Sequence, residues 1–128
     1  MLKSMLSAAV LLAALTAGPA FAADPASATP PMNKGGMFVT ASGMTLYTFD
    51  KDATPGKSVC NGPCAINWPP AVAADGAKAA GDWTIITRDD GLKQWAYKGK
   101  PVYAFIKDTK AGDKAGDGFL NGAWHIAK

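Results

Sequence analysis

Tyr47-Thr-Phe-Asp-Lys-Asp52 returns 56 positions later as Tyr103-Ala-Phe-Ile-Lys-Asp108. The same offset carries Gly56 onto Gly112, Gly62 onto Gly118 and Trp68 onto Trp124. Coincidence of Tyr, Phe, Asp, Trp and two glycines at one spacing, without a gap, marks an internal duplication. Each copy reads as a turn, a strand bearing Tyr-x-Phe-x-x-Asp, a glycine-rich loop and a tryptophan. A unit this small leaves one sheet face bare when alone. Two copies are therefore expected to pack about a pseudo-twofold axis and to bury those faces against each other.

Strand signals surround the repeated motif. Met37 to Thr40 and Met44 to Phe49 flank a tight Ser42-Gly43 turn and read as a hairpin. Trp83 to Thr87, Leu92 to Tyr97 and Lys100 to Ile106 are separated by Asp90-Gly91 and Lys98-Gly99, which suits a three-stranded meander with positive-φ turns. A short last strand is expected over Ala123 to Ala127. Only Cys64 to Trp68 and the alanine-rich Ala71 to Ala80 are candidates for a helical turn. There is no glutamate, while glycine and proline abound, which disfavours long helices. The fold class is all-β: one small domain of two pseudo-symmetric hairpin and meander repeats, about 36–72 and 83–128, within 35–128.

Upstream of the domain, residues 1–22 read as an export signal. Lys3 gives a positive start, Leu6 to Leu15 an apolar stretch too short to span a bilayer, and Ala20-Phe21-Ala22 a small-x-small cleavage site. Residues 23–34 (ADPASATPPMNK) read as a flexible leader. The expectation is a periplasmic or secreted protein without stable membrane insertion. The formal net charge of +3 is spread without a run of like charges, which excludes the concentrated basic patch of a nucleic-acid binder.

With the repeat in view, further residues resemble a known family. Besides the two Tyr-x-Phe-x-x-Asp motifs, these are Cys60-x-Gly-x-Cys64-Ala with Trp68-Pro-Pro, Arg88-Asp-Asp-Gly-x-x-Gln-Trp-x-Tyr-x-Gly-x-Pro-x-Tyr103, and Gly112-Asp-x-x-Gly-Asp-Gly118. Together they are similar to the secreted repeat family with a Y-X4-D motif, the lipoproteins with a Yx(FWY)xxD motif. The resemblance runs from about Gly35 to the end of the sequence. It implies an exported protein defined by its repeat, with no assigned activity and an association of relatives with alkane catabolism. The first cysteine here is Cys60, far from the expected cleavage site, so the lipidation cysteine of the lipoprotein members has no counterpart.

On a strand, residues two apart share a face, so Tyr47 with Phe49 and Tyr103 with Phe105 are expected in the core. Asp52 and Asp108 fall where strand gives way to loop, where a short carboxylate accepts loop N–H groups. An acid/base pair of these two carboxylates is the other reading, and it has no cleft in the sequence to support it. Trp68 and Trp124 share one repeat position and read as symmetric core plugs. Trp83 and Trp95 have two readings: core burial, which their size favours, and an exposed pair able to stack on a small ligand.

Cys60 and Cys64 are expected to form a structural disulfide, the usual fate of two cysteines in a small exported domain. In the second copy they align with Gly116 and Leu120, so the pair is an addition to one repeat. A redox-active thiol pair is the alternative. Asp108, Asp113 and Asp117 lie among glycines but depart from calcium-loop spacing, and Lys110 and Lys114 interrupt them, so a solvated turn is expected there. A metal carrier using His125 with Met32, Met37 and Met44 lacks ligand spacing. No cofactor and no catalytic residue is expected. The leading function is a non-catalytic binding or interaction module of the cell envelope, its partner a small apolar ligand or an envelope protein.

Overall fold

The computed structural model describes residues 26–128; the expected export signal, 1–22, and the first leader residues, 23–25, lie outside the described residues. The duplication appears as two intertwined halves. Strand β3 (Tyr47–Phe49) of the first repeat pairs antiparallel with β7 (Trp124–Ile126) of the second, with Tyr47 opposite Ile126 and Phe49 opposite Trp124. The reciprocal contact is Tyr103 opposite Pro70. On the axis itself the two tyrosines face each other, Tyr47 N–H donating to Tyr103 C=O at 2.7 Å and Tyr103 N–H to Tyr47 C=O at 2.9 Å. Each repeat's tyrosine strand thus completes its ladder with the segment following the other repeat's tryptophan. Backbone donors need partners when buried, so neither half closes its own hydrogen bonds alone.

Each repeat also contributes a hairpin. In the second it is β4 (Trp83–Thr87) with β5 (Lys93–Tyr97), extended by the short β6 (Lys100–Pro101) into the expected meander. The third strand is shorter than Lys100 to Ile106, because Tyr103 leaves β5 to pair with Tyr47 and Pro70. In the first repeat the hairpin is β1 (Met32–Lys34) with β2 (Met37–Val39). This corrects the flexible leader: Met32–Lys34 is a strand. The reason is Gly35-Gly36, whose φ values of 65° and 89° supply the two positive-φ positions of a tight hairpin turn. Ser27 is held as well, bridging to Ala73 in parallel. The hairpin expected around Ser42-Gly43 survives as a turn with a single Val39–Thr45 bridge.

Helix is confined to α1 (Pro63–Asn67), at the expected Cys64 to Trp68 position, and α2 (Phe119–Gly122), which has no clear sequence signal. Leu120 and Asn121 within α2 adopt positive φ. The alanine-rich Ala71 to Ala80, a candidate helical turn, is instead extended and bridged: Val72 pairs with Gln94 and Ala80 with Trp83. Alanine's helix propensity is a weak prior, and a ladder partner on each side overrides it.

Two apolar clusters fill the interior. One gathers Tyr47, Phe49, Cys60, Trp68, Tyr103, Phe105 and Trp124, nearly all repeat-motif residues. The other gathers Phe38, Leu46, Ala73, Trp83, Trp95, Val102 and Ala127 beneath the hairpins.

Candidate functional site

The repeated residues build a framework whose polar bonds cross between the halves. Tyr47 Oη donates to Asp108 Oδ2 at 2.6 Å, and Tyr103 Oη donates to Asp52 Oδ2 at 2.6 Å. The other oxygen of each carboxylate takes a loop N–H of its own repeat, Val59 to Asp52 at 2.7 Å and Ala115 to Asp108 at 2.8 Å. Each aspartate therefore pins its own loop to the other repeat's tyrosine. Burial pushes both carboxyls above the ordinary aspartate range, against the lowering effect of the tyrosine and backbone donors. Burial, with the carboxylate partner adding to it, also pushes both phenols far above the ordinary tyrosine range.

Between the halves run four stacked rings in the order Phe49, Trp124, Trp68, Phe105, with centroid separations of 4.1, 3.7 and 3.9 Å. Tyr47 and Trp68 meet at nearly a right angle, and so do Tyr103 and Trp124. Each well-placed aromatic pair adds about 0.5–1.5 kcal/mol beyond the area it buries. The Asp52 and Asp108 carboxylates are each buried and engaged by two donors, a tyrosine hydroxyl and a loop N–H, as the loop-holding reading expects.

The two loops are held differently. In the first, Arg88 is 3 % exposed and spends its donors on five neighbours. Nε bonds Asp90, Nη1 bonds Ser58 Oγ and Gln94 Oε1, and Nη2 bonds Cys60 C=O and Asn61 Oδ1. Ser58 Oγ lies 2.5 Å from Tyr103 Oη, which extends the network to Asp52. The Leu92 N–H, and then Arg88, hold the Asp90 carboxyl below the usual range. Sequence reasoning assigned no role to Arg88, Ser58 or Gln94. The available signal was that Arg88 is the sole arginine among many lysines, and a rigid five-donor fork is what a buried junction of carbonyls and hydroxyls requires.

Cys60 and Cys64 are disulfide-bonded, with Cα atoms 5.1 Å apart. In the second loop Gly116 replaces Cys60 and donates its N–H to Tyr47 Oη. A Cβ there would stand 2.7 Å from Trp68 Cη2, so that position admits only glycine.

Three of the suspected metal ligands, Asp108, Asp113 and His125, have protein partners. Asp113 Oδ2 accepts the N–H groups of Thr109 and Lys110, which closes a turn, while Asp108 faces Tyr47. His125 Nε2 lies 2.9 Å from Asp50 Oδ2. Among the described residues no group of three or more His, Cys, Asp or Glu side chains is placed to hold a metal ion.

Trp83 and Trp95 do not form an exposed pair. They are 8 % and 1 % exposed and meet edge-to-face within the hairpin cluster, because alternation on β4 and β5 turns both inward. Trp95 nevertheless borders the groove that bears most on function. This groove has a volume of about 330 Å³, with Pro70, Ala71, Val72, Trp95 and Ala104 on the body side and residues 26–32 opposite. None of its lining residues is charged.

One part of this groove, the wall from Pro70 to Val72 with Ala41 and Ala104, has pseudo-twofold equivalents that border a second groove, of about 580 Å³. Ala71 has its counterpart in Ala127, as their matching bonds show: Ala71 N–H to Val102 C=O, and Ala127 N–H to Leu46 C=O. By the same relation Pro70 corresponds to Ile126, Val72 to Lys128 and Ala104 to Thr48. The second groove is lined by Lys98, Lys100, Lys128, His125 and Asp50 among others.

A family model described as a secreted repeat of unknown function matches residues 31–72 and 84–128. The first match begins just before β1, in accord with that strand's place in the first repeat. No curated protein and no solved structure matches the chain. Among the described residues no helix is long and apolar enough to cross a membrane.

Proposed function

Because the chain belongs to this family of secreted repeats of unknown function, we propose that it is an exported, non-catalytic binding module of the cell envelope that takes a small uncharged apolar ligand in the groove beside Trp95. One observation carries the reading. The wall around Ala71 belongs to a groove without a charged lining residue, whereas the equivalent wall around Ala127 carries Lys128 in place of Val72 and borders a groove lined by further charged side chains. A charge-free lining is thus a property of that groove and not of the architecture. Its size falls at the lower end of the range of small-molecule sites, and a mostly apolar wall is what such sites show.

A thiol–disulfide role has less support: Cys60 has no exposed surface, so only the half-buried Cys64 offers a sulfur for exchange. The periplasm or the extracellular space is the compartment this reading assigns, in keeping with the family's secreted character.

Naphthalene and naphthalene-1-sulfonate are suitable probes, followed through the Trp95 indole N–H resonance. Saturable binding of naphthalene, with the sulfonate at least tenfold weaker, is the expected result. Ala41→Trp, which fills the groove from an exposed turn, is expected to abolish it. Equal binding of the charged and uncharged probes, or no response at Trp95, would remove the reading.

A further inference from the structure

The wall of the groove opposite Trp95 is a strap, fixed at its two ends and free between them. At one end Ser27 N–H donates to Val72 C=O, while Ser27 C=O accepts from Ala74 N–H at 2.9 Å and from Trp95 Nε1 at 3.2 Å. At the other end Met32 pairs with Val39. Between these anchors Thr29 bonds only back to Ser27: Ser27 Oγ donates to Thr29 C=O at 2.7 Å, and Thr29 N–H to Ser27 Oγ at 3.2 Å. Pro30 and Pro31 have no N–H to offer, which stiffens the arch without tying it to the body.

Resting on the ligand reading above, we infer that residues 27–32 form a closing strap, and that the ligand binds beneath it and holds it down. The strap accounts for the burial of Trp95, whose indole N–H is capped by Ser27. Lifted at that end, the segment would uncover the apolar floor of the groove and the ring face that the sequence offered as a stacking platform. The volume of the groove also bounds how much of a ligand it can hold. At about 30 Å³ per water-sized unit, 330 Å³ holds about eleven such units. A molecule of roughly ten non-hydrogen atoms therefore fills the groove. The chemistry is that of a neutral hydrocarbon skeleton, because no lining side chain is charged and the polar ones lie in the strap and at the Thr40 end.

Both features are open to test. In a series of straight-chain primary alcohols, affinity is expected to rise about fourfold per added methylene, as about 0.8 kcal/mol per buried CH₂ implies, and to level off near ten carbons. Replacing Thr29, Pro30 and Pro31 together by glycine leaves both anchors in place and loosens the arch; it is expected to weaken naphthalene binding by at least fivefold. Deleting the chain up to Pro31 is expected to weaken it by more than tenfold. The near-ultraviolet circular dichroism of the tryptophan stack reports whether the deleted form is folded, and if it is not, the triple-glycine variant decides. Bound naphthalene should also slow proteolytic cleavage between Ala28 and Pro31. Undiminished binding by the loosened strap, with the intact protein binding normally, would overturn the strap alone. Failure of the intact protein to bind naphthalene would remove the ligand reading and the strap with it.

Discussion

The walls around Ala71 and around Ala127, which one pseudo-symmetric framework places at equivalent positions, carry different chemistry. Around Ala71 the walls are proline, valine and alanine beneath a strap; around Ala127 the equivalent positions include Lys128 and Thr48, beside His125 and two further lysines. The residues that hold the halves together, by contrast, stayed alike: Tyr47 and Tyr103, Asp52 and Asp108, Trp68 and Trp124. The contrast separates two kinds of position. Those that serve the axis are constrained twice, because each must satisfy the other half's buried polar groups. Those on the groove walls are constrained once and are free to specialise.

The loops show the same division. The first is braced by the disulfide and by Arg88; the second relies on Gly116 beneath Trp68 and on the Asp113 turn. If the framework is shared and the bracing is not, mutations should sort accordingly.

The largest effects belong to the shared stack. Trp68→Ala and Trp124→Ala each open a void in a fully packed aromatic column and are expected to cost about 3–5 kcal/mol, in similar amounts, by denaturant unfolding. A difference of several-fold between them would break the equivalence of the halves. Next comes Arg88→Met, which strands Ser58, Gln94 and the Cys60 carbonyl. A loss of about 2–4 kcal/mol is expected, as buried partners are left unpaired. Hydrogen exchange should locate the loosening in the first loop, with the Asp108–Ala115 bond of the second unaffected. The smallest effect is expected from Cys60→Ser with Cys64→Ser. Closing so short a loop contributes roughly 2 kcal/mol on the chain-entropy account, and the aromatic circular dichroism of the stack should persist. Global unfolding of that variant at room temperature would make the disulfide part of the framework.

Much of the architecture was legible in the sequence because it is written twice. The fixed spacing of Tyr, Phe, Asp and Trp exposed the duplication, and strand alternation placed both Tyr-x-Phe pairs inside. The crossing of the tyrosine–aspartate bonds was not legible, since spacing along one copy cannot say whether Asp52 meets Tyr47 or Tyr103. The leader was misjudged for a local reason: its proline-rich composition outweighed Gly35-Gly36, the one hairpin signal that made Met32–Lys34 a strand. Core burial, the favoured reading of Trp95, was legible from its size and strand alternation, but the cap on its indole was not, because that bond joins Ser27 to a ring far along the chain. The role of Arg88 was not legible because its partners Ser58, Cys60 and Asn61 lie about thirty positions away along the chain, and the adjacent Asp90-Gly91 signals only a turn.

The central claim is that each repeat is locked by the other. Double-mutant cycles on unfolding free energy test it most directly, pairing Tyr47→Phe with Asp108→Asn and, separately, with Asp52→Asn. The account predicts a coupling of about 1 kcal/mol or more for Tyr47 with Asp108, and additivity within about 0.5 kcal/mol for Tyr47 with Asp52. Coupling of Tyr47 to the aspartate of its own repeat, with none across the axis, would contradict it.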